Sequence, residues 1–481
     1  MLFNSYPFVF GLLPLTFFIY FFLNQKRLTE AARGFLVFSS LFFYAWWNVS
    51  YLPLILTSML FNFGVGRSIS RSARLNGRGR KSVLVLGIAA NLALLGFFKY
   101  TDFFLENVNW VFDSEFSLLQ ITLPLAISFF TFQQIAYLVD SYRGEVDEHD
   151  FLNYAVFVSF FPQLIAGPIV HHKEMMPQFA SLRKKAVNYR NIATGLFVFA
   201  CGLFKKVVVA DTFMGLVGPG FDISEKLTLL EAWGTSLSYT FQLYYDFSGY
   251  ADMAIGAGLM FNIHLPRNFN YPYGAHSIRE FWERWHMTLS RFLRDYIYIP
   301  LGGNRCGAWR SHYNVMVTFL LGGLWHGASW TFVFWGFLHG AALVIHRLWK
   351  STGIRLPRLL AWALTFNFVN ISWVFFRAKE WQDAVKVLKG MAGMDGFAIG
   401  GLTYLAGMEF VLPLAWWIPA SGTVNAAIIL LFVGIIFIEN KINWLGLRNR
   451  HAGAFYTLMF VLLMIPLLNL RKISEFLYFQ F

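Results

Sequence analysis

Apolar runs of roughly 15 to 20 residues recur along almost the whole chain, with only short polar loops between them. A soluble fold has no way to hide that much apolar surface. The chain is 57% hydrophobic and 14% charged, where a soluble domain carries about 25% charged residues. The solvent that resolves this is lipid, and runs of this length read as membrane-crossing helices. The expected fold is all-α and polytopic, with about twelve spans plus re-entrant and interfacial pieces, in one integral-membrane domain over 1–481.

Charge sets the expected orientation. The 39 basic and 26 acidic residues give a formal charge of +13. The basic residues sit in short loops, such as Lys26, Arg27 and Arg33, then Arg67, Arg71, Arg74, Arg78, Arg80 and Lys81. That is the positive-inside pattern, with both loops cytoplasmic and the N-terminus outside. It points to membrane lipid as the partner and away from nucleic acid. The opening MLFNSYPFVF has no basic n-region or small-residue cleavage site, and reads as a retained first span. Cys201 and Cys306 are two free thiols, too few for a disulfide framework.

Runs near 7–23, 34–48, 52–66, 83–98 and 121–140 come first, with an external acidic stretch from Asp102 to Glu115. Residues 151–170 are apolar but broken by Pro162, Gly167 and Pro168, and a basic loop follows. A re-entrant segment keeps the charge rule intact there, covered by protein or lining a cavity. Runs 192–212 and 231–262 lead to a polar insert at 264–312. Then come two short spans within 313–349, a run near 358–376, an interfacial amphipathic helix within 377–400, and runs near 424–438 and 453–470. The stretch 400–420 stays undecided.

Within the insert, residues 278–300 form an amphipathic pattern at 100° per residue. Arg279, Glu280, Glu283, Arg284, Arg291, Arg294 and Asp295 share one face, and Phe281, Trp282, Trp285, Leu289, Phe292, Leu293 and Tyr296 the other. One continuous amphipathic helix is expected, lying at the membrane interface or against the bundle. His286 falls on the boundary, either half wet or aimed into a cavity. The glycines of IPLGGNRCG, with Gly302, Gly303 and Gly307, permit a nest of N–H groups for an anion.

Ionisable residues inside apolar runs are costly and mark candidate sites. Asp246 and Asp252 lie in YYDFSGYADMAIG, His326 in GLWHGASW, and His339 and His346 in FWGFLHGAALVIH. Asp246 and Asp252 also suit a role as polar glue between helices. The four glycines between 322 and 336 suggest a broken or tightly packed helix around His326. No metal site is expected. There is no HExxH and no cysteine cluster, and His171 and His172 are adjacent.

The chain resembles the membrane-bound O-acyltransferase superfamily, and within it the bacterial alginate O-acetyltransferase group. The likeness is carried by LFFYAWWN, SFFPQLIAGPI, GLFKKVVVAD, PRNFNYPY, FWERWHMTLSRFLRDYIYIPLGGNR and GLWHGASWTFVFWGFLHG, along essentially the whole chain. It implies two catalytic positions: a nearly invariant histidine, matched by His326, and a histidine, asparagine or aspartate some forty residues upstream, matched by His286. It further implies that His326 is the general base of acyl transfer, while His286 or backbone N–H groups steady the oxyanion. Trp325 and Trp330 would wall the site. Asp246, Asp252 and His339 are possible supporting residues. The implied donor is cytoplasmic acetyl-CoA, with Arg279, Arg284 and Arg305 as neighbours of its phosphates. The acetyl group would leave on the periplasmic side of the bacterial inner membrane, toward an exopolysaccharide, by way of a separate SGNH-type partner and polysaccharide export machinery. Cellulose and peptidoglycan are alternative acceptors. From another class altogether, a proton-coupled transporter or flippase for a sugar or lipid would use the same histidines as a relay.

Overall fold

The computed structural model describes residues 1–74, 79–146, 148–165, 167–397, 452–470 and 477, and among these no strand occurs. The stretch 400–420 and the run near 424–438 lie outside the described residues. Among the described residues, six helices are long and apolar enough to cross a bilayer: Pro7–Gln25, Val49–Arg71, Arg80–Phe112, Tyr189–Ile223, Trp330–Ser351 and Arg358–Arg377. The 22 residues of Trp330–Ser351 rise about 33 Å, against a hydrocarbon core of about 30 Å. Several helices turn large apolar side chains outward, among them Phe18, Phe104, Ile345 and Leu359. That arrangement suits a lipid-facing surface.

The chain divides into two compact units. The first comprises Met1–Phe199 and Ala251–Pro266, and the second Ala200–Tyr250 and Arg267–Phe481. The long helix Leu229–Met260 supplies residues to both.

In the first unit an aromatic core forms from Phe3, Phe8, Phe43, Phe161 and Phe261. Hydrogen bonds between buried side chains join three of its helices. Asn91 Nδ2 donates to Asn62 Oδ1 at 2.7 Å, and Ser58 Oγ donates to Gln134 Oε1 at 3.0 Å. Residues 151–170 do not form one crossing. Helix Phe151–Ser159 ends at Phe160, and a single turn, Phe161–Leu164, follows. Nine residues rise only about 14 Å, less than half the hydrocarbon thickness. The expected external acidic loop is partly helical, because helix Arg80–Phe112 runs on through Asp102 and Glu106.

In the second unit, helices Ala308–His326 and Trp330–Ser351 form a hairpin where the sequence suggested two short spans. Glycines set its spacing. A Cβ on Gly323 would overlap the Phe332 carbonyl oxygen and lie 3.1 Å from Gly336 N, and one on Gly336 would overlap the Phe319 carbonyl oxygen. Two backbones meet here with no side chain between them, as small residues allow in membranes. Helix Trp381–Met391 appears where an amphipathic helix was expected, started by a capping box of Glu380 and Asp383.

The insert 278–300 departs from the expected continuous helix. It forms Ile278–Arg284, Met287–Leu293 and a π-turn, Arg294–Tyr298, with a break at Trp285 and His286. Trp285 is extended, and His286 adopts the left-handed conformation (φ 41°, ψ 54°). The cause is backbone competition from the preceding loop. Asn270 N donates to Arg284 O at 2.9 Å, and Met287 N donates to Asn268 O at 2.9 Å. The two bonds flank the break and hold it open.

Candidate active site

Ser277 starts the first short helix of the insert, its Oγ accepting from Glu280 N. Nine residues later the pinned break turns His286 inward, and its ring is fully buried instead of half wet. Phe247 meets it edge-on at 4.7 Å between ring centroids, and Trp325 lies at 6.4 Å. Burial alone pushes the imidazole pKa down to about 3, so the ring is neutral.

The tautomer of His286 follows from its partners. Its Nδ1 lies 3.0 Å from Asn268 Oδ1. The same oxygen accepts from Thr288 N at 3.3 Å and Thr288 Oγ at 3.0 Å. A backbone N–H only donates, so the Asn268 atom it faces must be the amide oxygen. An amide oxygen only accepts, so His286 Nδ1 carries the proton. Nε2 is then a bare lone pair, buried and without a partner among the described residues. The oxyanion-steadying role expected for His286 needs a proton on Nε2, which this tautomer does not have.

His326 is the last residue of helix Ala308–His326, and Gly327 leaves the helix in an extended conformation. The ring is buried. Trp325 meets it at 4.8 Å, Trp335 edge-on at 5.1 Å and Phe376 at 5.1 Å. Trp325 thus shares ring contact with both histidines. Trp330, expected as a wall of the site, is exposed, and Trp335 takes that place. The Trp335 indole N–H is a buried donor without a partner among the described residues. The neighbourhood therefore offers an acceptor, His286 Nε2, and a donor, Trp335 Nε1–H, inside an aromatic shell.

His339 joins the same shell, 4.7 Å from Trp335, but both its nitrogens are engaged. Trp282 Nε1 donates to Nδ1 at 3.2 Å, which leaves Nε2–H to meet Ser372 Oγ at 3.0 Å. This is a closed structural network. Residues 327–329 interrupt the helix, as the glycines between 322 and 336 suggested, so His326 and His339 lie on different helices, and both touch Trp335. Among the described residues no group of three or more His, Cys, Asp or Glu could hold a metal ion.

Asp246 lies next to Phe247, yet its carboxylate serves a different cluster. Lys206 Nζ lies 2.6 Å from Asp246 Oδ1 and 3.1 Å from Asp211 Oδ1, and Leu477 N donates to Asp246 Oδ2 at 3.0 Å. Two carboxylates share one buried ammonium. Asp252 is partly buried and belongs to the other unit. Of the three arginines, Arg279 pairs with Glu283 and Arg284 with Glu280. Arg305 is exposed and in no ion pair among the described residues. The glycine nest is not available to an anion: Gly302 N and Gly303 N donate to Ile299 O and Tyr298 O, closing a turn.

Sequence reasoning missed Asn268 and Lys206. Both lay in stretches noted as motifs, and Lys206 stands beside a strongly apolar run, whereas Asn268 sits in the polar insert and gave no such sign. For Lys206 that run was the available signal.

Two buried histidines that share a tryptophan neighbour, on a scaffold of helices long enough to cross a membrane, narrow the class. Residues 140–378 match the membrane-bound O-acyltransferase family, MBOAT. The chain belongs to this family and is a multi-pass membrane acyltransferase. The transporter reading is thereby set aside. The chain is 46% identical to a protein of Helicobacter pylori named peptidoglycan O-acetyltransferase, over 100% of this chain and 98% of that one. It is 42% identical to a probable alginate O-acetylase AlgI of Pseudomonas aeruginosa, over 81% of this chain and 75% of the relative. A teichoic acid D-alanyltransferase of Bacillus subtilis is 27% identical over 54% of this chain and 69% of its own.

Proposed function

We propose that this protein is an O-acetyltransferase of the bacterial cytoplasmic membrane that takes the acetyl group of cytoplasmic acetyl-CoA and passes it through the membrane toward a cell-envelope polysaccharide. His286 and His326 are the proton-handling pair. A neutral imidazole takes the proton of an attacking hydroxyl while its oxygen bonds to the thioester carbonyl carbon. The C–S bond then breaks, and the departing thiolate takes up that proton. The aromatic shell keeps water from the acyl group, which water would otherwise hydrolyse. Arg305 is the best placed of the three arginines for the donor's phosphates, since it is exposed and no carboxylate among the described residues pairs with it.

The observation that carries this reading is the pair of buried imidazoles in ring contact with one tryptophan, Trp325, in a chain of an acyltransferase family. Its test is His326→Ala in purified, folded protein. The expected result is a loss of acetyl-CoA turnover of roughly 10²–10⁴-fold. Turnover at the normal rate refutes the assignment.

For the final acceptor, a match along its whole length to a protein named peptidoglycan O-acetyltransferase favours peptidoglycan. An alginate-like exopolysaccharide is the second reading, supported by a probable alginate O-acetylase of Pseudomonas putida that is 35% identical over the full length of both chains. In either case an SGNH-type partner completes the transfer outside, with the export machinery as neighbour for an exopolysaccharide. Mass spectrometry of muropeptides and of secreted glycans, with and without the gene, separates the two acceptors.

A further inference from the structure

We propose that the indole N–H of Trp335 is a hydrogen-bond donor to the acyl carbonyl oxygen, the atom that takes up negative charge when the acceptor's hydroxyl adds to the thioester. The inference deepens the acyl-transfer reading and rests on it, with His326 as the base.

Addition to a thioester creates two needs at once. A proton must leave the hydroxyl, and the electron pair of the C=O bond must be received on oxygen. A base answers the first need. The second is answered by a fixed donor that keeps its own proton. The polar groups around His326 divide on this point. His286 has its Nδ1–H committed to Asn268, and its Nε2 only accepts. Trp282 donates to His339 Nδ1, and the other nitrogen of His339 meets Ser372 Oγ, so those groups are spent on one another. Phe376 has nothing to donate. Trp335 Nε1–H is a buried donor with no acceptor among the described residues.

The place of Trp335 suits the task. Its ring stands edge-on to His326, with 5.1 Å between centroids and 87° between planes. Trp373 stacks on it at 5.6 Å, and Phe376, His339 and Trp282 close in at 5.1, 4.7 and 5.9 Å. A bulky ring packed this closely has little room to turn toward another acceptor, so the donor is fixed before substrate arrives. Trp335 is also the sixth residue of helix Trp330–Ser351. Side chains on a helix lean toward its N-terminus, which here is the break that follows His326. That end of a helix favours negative charge. An unpaired buried donor costs free energy in the resting protein, and an acyl oxygen that supplies the acceptor removes the cost.

In the reaction, His326 takes the hydroxyl proton as the oxygen–carbon bond forms. The C=O electron pair moves onto the carbonyl oxygen, and Trp335 Nε1–H donates to it without transferring its proton. When the C=O bond re-forms, the C–S bond breaks and the thiolate takes the proton from His326. The bond from Trp335 strengthens as charge builds on the oxygen, so it favours the transition state over the bound thioester.

The test changes one group. 3-Benzothienylalanine in place of Trp335, introduced by codon suppression, keeps the fused ring and puts sulfur where the N–H stood. Full-length protein in proteoliposomes is assayed for thiol release from acetyl-CoA, per folded molecule. The expected result is a fall in kcat on the order of 10²-fold with the acetyl-CoA KM unchanged. Trp335→Phe also removes the N–H and should lose at least as much. The same analogue in place of Trp309, an exposed indole, is the control and should turn over like wild type. A wild-type kcat with the analogue at Trp335 overturns the proposal, even where Trp335→Phe fails to fold. The two claims also separate. A wild-type protein with no acetyl-CoA turnover sinks the acyl-transfer reading and the donor with it. An active wild type beside an equally active Trp335 analogue sinks the donor alone.

Discussion

The helix hairpin that ends at His326 offers a direct test of how the site is held. Gly322 and Gly323 are adjacent, but only Gly323 faces the partner helix backbone. A methyl group on Gly323 overlaps the Phe332 carbonyl oxygen and sits 3.1 Å from Gly336 N. Neither neighbour is the end of a flexible side chain, so the two helices must part by roughly 1 Å to restore contact distance. Overpacking of this kind costs about 1–3 kcal/mol. The larger effect falls on chemistry. Gly323 lies three residues before His326 on the same helix, so a parted hairpin displaces His326 by a comparable amount. A misplacement of about 1 Å costs on the order of 10²-fold in rate. Two controls carry the same added methyl. At Gly322 the nearest atom is Leu293 Cδ1 at 3.3 Å, and at Gly340 it is Met316 Sδ at 2.9 Å, both on side chains that can move. Gly323→Ala should therefore lose about two orders of magnitude in acetyl-CoA turnover, while Gly322→Ala and Gly340→Ala stay near wild type. Thiol release from acetyl-CoA by detergent-purified protein, with melting curves alongside, reads all three. Equal rates in the three variants would refute the backbone contact at Gly323 as the element that positions His326.

Asp246→Asn removes one of the two carboxylates around Lys206 and should act on stability, costing about 2–3 kcal/mol because Asp211 still balances the ammonium; thermal melts should fall while turnover per folded molecule holds, and a stable but inactive variant would move Asp246 into the reaction. Arg305→Ala should raise the acetyl-CoA KM with kcat unchanged, whereas Arg279→Ala, whose guanidinium is held by Glu283, should leave both in place; steady-state kinetics at varied acetyl-CoA distinguish them.

The parts of the fold that depend on composition were legible in the sequence. Apolar runs gave the helices, and the crowding of glycine between 322 and 336 announced both the interruption after His326 and the close packing before it. The helix break at His286 was not legible, for a physical reason. Periodicity over 278–300 is compatible with one helix, and the competing hydrogen bonds come from Asn268 and Asn270, which belong to a separate loop. A local pattern cannot weigh a bond whose partner is placed by tertiary structure. The same holds for Lys206. An aspartate in one apolar run and a lysine in another are each costly alone, and only their approach to 2.6 Å shows that each cancels the other. Residue type and position singled out both histidines and the family likeness supplied their expected roles, but the state of the His286 ring was set by a side chain eighteen positions earlier.

The positive φ of His286 bears on which residues can occupy that position at all. Outside glycine, the side chains that tolerate such a backbone best are asparagine, aspartate and histidine. Those are the three alternatives that the family likeness implies at this upstream site. A leucine or valine there would oppose the bend itself before any question of proton transfer arose. Backbone shape thus narrows the chemical menu in advance, and a glutamine, close to asparagine in its functional group, should be a poorer substitute than its chemistry suggests.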